Sequence, residues 1–288
     1  MNRLYVFILA MLCACVSLWA QETMEQDMFE SMKDNDKAVI MVVHKDADSG
    51  IGQQGINRLT LKLRERYPNY AYREACTTQG TMEQMPDPDE LFSQLEKDGY
   101  THVLVQPSCI TNDLDMQYLR HIVETAKGKF KHLRLGEPLL SDLADYQEVA
   151  DITISTFSMP KEVNVLVCPS AGHEADASYT LLDYTLRNKG IQDWHLATIG
   201  GIPSLNHLIL QLKIQKIKKV HLVPFNAEVN STMRGEWVKK LQQAGYKVTI
   251  EPRTLVDQES IINLFEQHIC QAEKYRRLTP KEQKIITR

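Results

Sequence analysis

The residues best placed to do chemistry are a few cysteines, histidines and acids that follow short apolar runs. Cys76, Cys109 and Cys168 each stand at the end of such a run. A buried inert thiol is the ordinary role for any one of them, and three together raise the prospect of a soft metal or a haem iron. His173 follows Cys168-Pro169-Ser170 and opens Glu174-Ala175-Asp176. It is placed to ligate a metal, to act as acid or base, or simply to begin a helix. His44 ends the first apolar run, and Glu228 lies just beyond a later one, Val220-His221-Leu222-Val223-Pro224. His102 and His221 fall within apolar runs and His207 within a helical pattern, where packing or surface roles are expected.

Several stock motifs are absent. GxGxxG, GxxxxGK[ST] and GxSxG do not occur, so nucleotide cradles and a hydrolase elbow have no support, and Ser170 is not an elbow serine. Asp46-Ala47-Asp48-Ser49-Gly50 begins like a calcium loop, but Ile51 and Asn57 stand where that loop needs glycine and glutamate. No CxxC or CxxH pair is present, and the six cysteines do not suggest a disulfide framework. Net charge is −4, which gives no electrostatic footprint for nucleic acid.

The elements that must position these residues alternate. Short β-rich runs are expected at 38–43, 70–75, 102–106, 132–135, 163–167, 194–199, 219–223 and 247–251. Amphipathic helical patterns lie between them, as at 57–67, 89–97, 175–188 and 205–217. Runs such as Val39-Ile40-Met41-Val42-Val43 are apolar on both faces, as in a parallel sheet covered by helices on both sides. The pattern occurs twice: Tyr100-Thr101-His102-Val103-Leu104-Val105-Gln106-Pro107 is similar to Ile217-Lys218-Lys219-Val220-His221-Leu222-Val223-Pro224. The expected fold is α/β, with two similar lobes, each a parallel sheet flanked by helices, at 21–155 and 156–288. A ligand cleft is expected between them, beyond the carboxyl ends of the strands.

The first 20 residues differ from the rest. One positive charge at Arg3, an apolar run from Leu4 to Ala14 and a small residue at Ala20 describe a secretory signal peptide, with cleavage after Ala20. Leu12-Cys13-Ala14-Cys15 also resembles a lipobox, with Cys15 as the acylated residue. Either route exports the chain to the periplasm or the cell surface. No later stretch approaches ~18 uninterrupted apolar residues, so no membrane span is expected.

Taken together, the chain resembles the anaerobic-type sirohydrochlorin cobaltochelatases (CbiK). The resemblance runs through Gly99-Tyr100 to Asn112, Leu135-Gly136-Glu137-Pro138-Leu139-Leu140-Ser141, Asp145-Tyr146, His173-Glu174-Ala175, Leu182-Asp183, Pro203-Ser204, Val220 to Pro224, Trp237 and Ala244-Gly245. It implies two parallel-sheet lobes with a tetrapyrrole between them, and insertion of Co2+ by two histidines and a glutamate. Metal insertion needs a held metal and a base for the pyrrole protons. In this chain Pro169 stands in the first histidine's place and Gly200 in the glutamate's. The loop after Pro224 is shortened, and Asn226-Ala227-Glu228-Val229-Asn230 holds no histidine. Lys45-Asp46-Ala47 replaces a Gly-Thr-Ser.

A further family histidine, expected to bind haem in some exported members, aligns with Cys109, which could supply a thiolate instead. The tetrapyrrole-binding candidates are Cys109 and His173, which the resemblance implies, together with His44 and Ser170 at the strand ends. His173 is the surviving catalytic candidate, and Cys168 and Glu228 are replacement metal ligands for Co2+ or Fe2+. The leading expectation is an exported relative that binds haem or a sirohydrochlorin-like tetrapyrrole with cobalt insertion weakened or lost. The alternatives are an active chelatase or haem dechelatase using substituted ligands, and a non-enzymatic scaffold. An outer-membrane uptake system and a second copy of the chain are the expected partners.

Overall fold

The first strand, β1 (Ala38–His44), is buried along its whole length, and its alternation explains the layers around it. Val39, Met41 and Val43 point to one face of the sheet, and Ile40 and Val42 to the other. Both faces are apolar, so both must be covered. In this computed structural model, residues 27–45, 50–77, 85–170, 173–189, 193–214 and 218–274 are described; the side chain of His173 is not. The leader at 1–20 lies outside the described residues.

The first sheet comprises β1, β2 (Ala71–Cys76), β3 (His102–Pro107) and β4 (His132–Leu135), in the order β2-β1-β3-β4. The second comprises β5 (Val163–Pro169), β6 (Trp194–Ile199), β7 (Lys219–Pro224) and β8 (Lys247–Ile250), in the order β6-β5-β7-β8. Every pairing is parallel. The repeat legible in the sequence is therefore a repeat of topology. In each sheet the chain reverses its winding direction at the first strand, which makes a topological switch point between β1 and β3 and between β5 and β7.

The helices are α1 (Gly52–Arg66), α2 (Pro88–Lys97), α3 (Leu114–Ala126), α4 (Leu143–Phe157), α5 (Asp176–Asn188), α6 (Leu205–Ile214), α7 (Val238–Gln243) and α8 (Glu259–Lys274). Their starts are written locally. Asp87 caps α2 by accepting from the Asp89 N–H, with Pro88 as the first helical residue. Asp113 caps α3 by accepting from the Met116 N–H. Asp142 and Asp145 form a reciprocal capping box on α4.

Three apolar layers result. Leu91, Phe92 and Leu95 of α2 and Met116, Leu119 and Val123 of α3 cover Val39, Met41 and Val43. Leu205, Leu208 and Leu212 of α6, with Trp237 and Leu241, cover Val163, Val165 and Val167 of the second sheet. The third layer is shared between the lobes. It joins Ile40, Val42 and Leu104 of the first sheet to Leu166, Leu196 and Val223 of the second, through residues of α1, α4, α5 and α8.

The division by chain order places the C-terminal helix with the second lobe. Its packing partners are instead α1, β3, β4 and α4, so α8 crosses back to close the inner face of the first sheet. Its buried stripe of Ile261, Ile262, Leu264, Phe265 and Ile269 meets that face. The connecting helix α4 in turn packs on α5.

Candidate functional site

The carboxyl ends of the two sheets approach each other. Asn226, two residues beyond β7, directs its side-chain amide at the Gly50 carbonyl in the first lobe at 3.5 Å. Gly50 has φ +60°, and a Cβ there would lie 2.6 Å from the Ser108 carbonyl oxygen. Only glycine suits both the backbone angle and the close approach. The Ser108 hydroxyl and the Asn226 carbonyl oxygen are both buried without a hydrogen-bond partner among the described residues.

In the first lobe, Lys45 follows β1 and lies 2.9 Å from Asp113 and 3.4 Å from Asp115. Thr77, just past β2, donates to Asp115 at 2.8 Å. Burial alone would lower the pKa of the Lys45 ammonium, but the Asp113 and Asp115 carboxylates outweigh it and hold it well above the ordinary lysine value. The ends of β1 and β2 are thus tied to the start of α3.

In the second lobe, Ser170 donates to both oxygens of the Asp176 carboxylate at 3.2 and 3.3 Å. The Ile202 N–H donates to the same carboxylate at 3.2 Å. Gly201 lies so close that a Cβ would fall 2.2 Å from Asp176 Oδ2. Asp176 therefore locks the turn after β6 to the turn after β5.

The structure disperses most of the residues singled out in the sequence. Cys109 does follow β3, but its sulfur faces the α2/α3 layer and the residue is 1% exposed. Burial, with Asp113 and Asp115 nearby, pushes its thiol well above the ordinary cysteine value. A thiol so buried, with its pKa raised, is poorly suited to supply a thiolate. Cys168, expected as a metal ligand, is 0% exposed in the layer shared by the lobes, and burial raises its thiol too. Cys76 donates its S–H to the Lys45 carbonyl at 3.0 Å.

His44 is fully buried and lies 3.6 Å from Glu74 of β2, which draws the Glu74 carboxyl below its ordinary range. Glu228 is exposed on the turn Ala227–Val229. Cys168, His44 and Glu228 are not brought together. Among the described residues no group of three His, Cys, Asp or Glu side chains could hold a metal ion. The backbone of His173 forms the short turn His173–Ala175 immediately before α5, and its side chain lies outside the described residues. Pro169 closes β5 and Gly200 follows β6, so both positions sit at the facing strand ends.

Asp113, Asp115 and Asp176 went unread as site residues, while Lys45 and Asn226 were legible only as residues that follow a strand. The capping pattern Asp113-Leu114-Asp115 was a usable signal for a strand end meeting a helix start. The pairing of Asn226 with Gly50 had none, because Gly50 belongs to the other lobe. Two hollows are found among the described residues. One of about 490 Å3 is lined by Phe29, Arg66, Tyr67, Tyr70 and Glu273 among others. Another of about 350 Å3 lies between α5 and the start of α6, lined in part by Asp183, Arg187, Pro203 and His207.

Two parallel sheets of identical strand order, joined through a shared layer and facing each other at their carboxyl ends, define a two-lobed chelatase-type fold. SirB from Bacillus subtilis with Fe3+ has this fold, with a TM-score of 0.58 at 17% identity over 82% of this chain and 96% of that one. CbiX, described as the terminal enzyme for biosynthesis of siroheme in denitrifying bacteria, matches with a TM-score of 0.51 at 14% identity, over 82% of this chain and 99% of that one. The family model for cobalt chelatase (CbiK) matches residues 37–274, and the chain belongs to that family.

Two curated relatives agree. The sirohydrochlorin cobaltochelatase CbiKC of Nitratidesulfovibrio vulgaris is 25% identical over 243 residues, covering 76% of this chain and 86% of the relative. The sirohydrochlorin cobaltochelatase of Salmonella typhimurium is 24% identical over 195 residues, covering 64% of this chain and 74% of the relative.

Proposed function

We propose that this chain is an exported CbiK-family protein that binds a tetrapyrrole of the haem or sirohydrochlorin kind, with cobalt insertion weakened or lost. The observation that carries the reading is the chemistry at the facing strand ends. Pro169 and Gly200, in the places that the family resemblance gives to a histidine and a glutamate, have no side-chain donor. The neighbouring polar groups are largely engaged with one another: Lys45 with Asp113 and Asp115, and Ser170 with Asp176. A metal ion as substrate would meet few free ligands among the described residues.

Binding of the macrocycle itself does not require those ligands. A flat tetrapyrrole buries a large apolar area, at roughly 25 cal/mol per Å2, and polar junction groups such as Ser108 and Asn226 can fix its orientation. His173 remains the proposed iron ligand on the strength of the family resemblance. The leader supports export to the periplasm or cell surface, where an outer-membrane uptake system is the proposed partner.

The test is a cobalt insertion assay with sirohydrochlorin, run beside a binding titration. Loss of one well-placed donor costs on the order of 10²–10³-fold in catalysis, so insertion near the uncatalysed rate is expected, together with saturable binding. Robust insertion that disappears in His173→Ala would establish the active-chelatase alternative. Absence of both binding and insertion would leave the scaffold alternative.

A further inference from the structure

His268, on α8, is buried with each ring nitrogen facing an acceptor. Nε2 lies 2.9 Å from Asp145 Oδ1, and Nδ1 lies 3.2 Å from the backbone carbonyl of Glu137. A carbonyl oxygen can only accept, so the Nδ1 contact requires a proton on Nδ1. The Asp145 carboxylate is saturated by donors. Its Oδ2 accepts from the Ser141 hydroxyl at 2.6 Å, the Ser141 N–H at 2.9 Å and the Asp142 N–H at 2.9 Å. Such a carboxylate is ionised and accept-only, so the Nε2 contact requires a proton as well. A neutral ring can satisfy only one of the two contacts.

We propose that His268 is held as the imidazolium cation and acts as a proton-operated latch, fastening the C-terminal helix α8 to the turn 137–142 and to α4, the helix that connects the lobes. The charged groups around the ring are consistent with this role. Asp145 faces it from α4, and Glu137 from the turn, with the Glu137 carboxylate engaged by Arg120 of α3. From β3, Gln106 donates its amide to the same Glu137 carbonyl at 3.2 Å. Arg134 of β4 is occupied farther along α8 by the carbonyls of Ala272 and Glu273. From α1, Lys62 and Arg66 pair with Glu259 and Glu266 of α8. Burial alone would lower the ring's pKa, but the hydrogen bond and charge of Asp145, with Glu137, reverse this and hold it above the ordinary histidine value.

The latch connects to the junction described above. The turn it holds donates from the Leu139 and Leu140 N–H groups to the carbonyls of Cys109 and Ile110. That segment leads directly to Asp113, which caps α3 and pairs with Lys45. Deprotonating His268 turns one of its two contacts into an acceptor facing an acceptor. That loosens α8, the turn and the strand-end loop after β3 together. This inference stands whether or not the chain binds a tetrapyrrole.

Nitrogen-resolved NMR of the whole protein tests it. The His268 ring is expected to carry protons on both nitrogens at neutral pH and to titrate above about 6.5, the value of a free histidine. Asp145→Asn, which keeps an acceptor and removes the charge, is expected to bring that midpoint down. His268→Gln can still donate to Asp145 but cannot titrate. In the wild type, hydrogen-exchange protection of the Leu139 and Leu140 amides, corrected for intrinsic exchange, is expected to fall roughly tenfold as pH rises through the midpoint. In His268→Gln it should stay flat. A singly protonated ring at neutral pH, a midpoint at or below the free value, or matching exchange profiles in wild type and His268→Gln would overturn the proposal. The wild-type and Asp145→Asn ring spectra decide the matter even if His268→Gln does not fold.

Discussion

Replacing Cys109 by serine separates packing from ligation at the residue that the family resemblance favours as a haem ligand. Cys109 belongs to the apolar layer that also holds Val103, Val105, Met116 and Leu119, and the residue is 1% exposed. Serine is close in size but brings a hydroxyl into an apolar environment. An unpartnered buried hydroxyl costs about 1–3 kcal/mol. For a protein of this size each kcal/mol lowers Tm by roughly 2–4 °C, so Cys109→Ser is expected to melt about 2–12 °C below wild type. Cys109→Ala removes the sulfur without adding a polar group and should cost less. Haem affinity should be unchanged within about twofold in both variants, because the thiol is buried and its pKa is raised; a change smaller than ~0.4 kcal/mol corresponds to that factor. Thermal melts followed by circular dichroism and Soret titrations of the same preparations provide the two readouts. A Soret change abolished in both variants at unaltered Tm would refute the reasoning, since it would require an accessible thiolate where the structure has a buried thiol.

Other consequences follow from the same geometry. Gly50→Ala places a methyl 2.6 Å from the Ser108 carbonyl at φ +60°, and should destabilise by about 2 kcal/mol or more, read as a lower urea midpoint with unchanged slope. The buried His268–Asp145 pair shapes the pH profile from both sides. His268 has a raised pKa, so its contribution is full below the ordinary histidine value and is lost as pH rises through the raised one. Burial pushes Asp145 up, but His268 and Ser141 bring it net below the ordinary value, so its contribution is present above that value and is lost as pH falls through the lowered one. Urea midpoints should therefore peak between the two ranges and flatten on the alkaline side in His268→Gln. Mass spectrometry of protein recovered from its own host should find Gln21 at the N-terminus; an acylated Cys15 would keep export but move the processing site, and intact Met1 in the cytoplasm would remove the export proposal.

β1, β3 and β5 were legible as short apolar runs in which every residue is buried, whereas β2, β4 and β8 are only partly buried. The repeat was legible because Val103-Leu104-Val105-Gln106-Pro107 and Val220-His221-Leu222-Val223-Pro224 fill equivalent strands in sheets of the same order. The return of α8 to the first lobe was not legible. Its apolar stripe says that it must be covered, and nothing in it distinguishes one sheet's face from the other's. The cysteines show a related limit. Strand alternation predicts that Cys168 and Val167 face opposite sides, but both sides of β5 are apolar layers, so neither leads to a ligand. Lys45 with Asp113 and Asp115, and Asn226 with Gly50, join positions far apart in the chain, and such pairs leave no local pattern to read.

A tetrapyrrole is proposed to occupy the junction between the facing strand ends. An absorption titration of the processed protein with haem, followed by displacement with sirohydrochlorin, tests this most directly. The expected result is a saturable Soret shift, competed by sirohydrochlorin and retained in Cys109→Ala. Featureless, non-saturating absorbance for both macrocycles would contradict it.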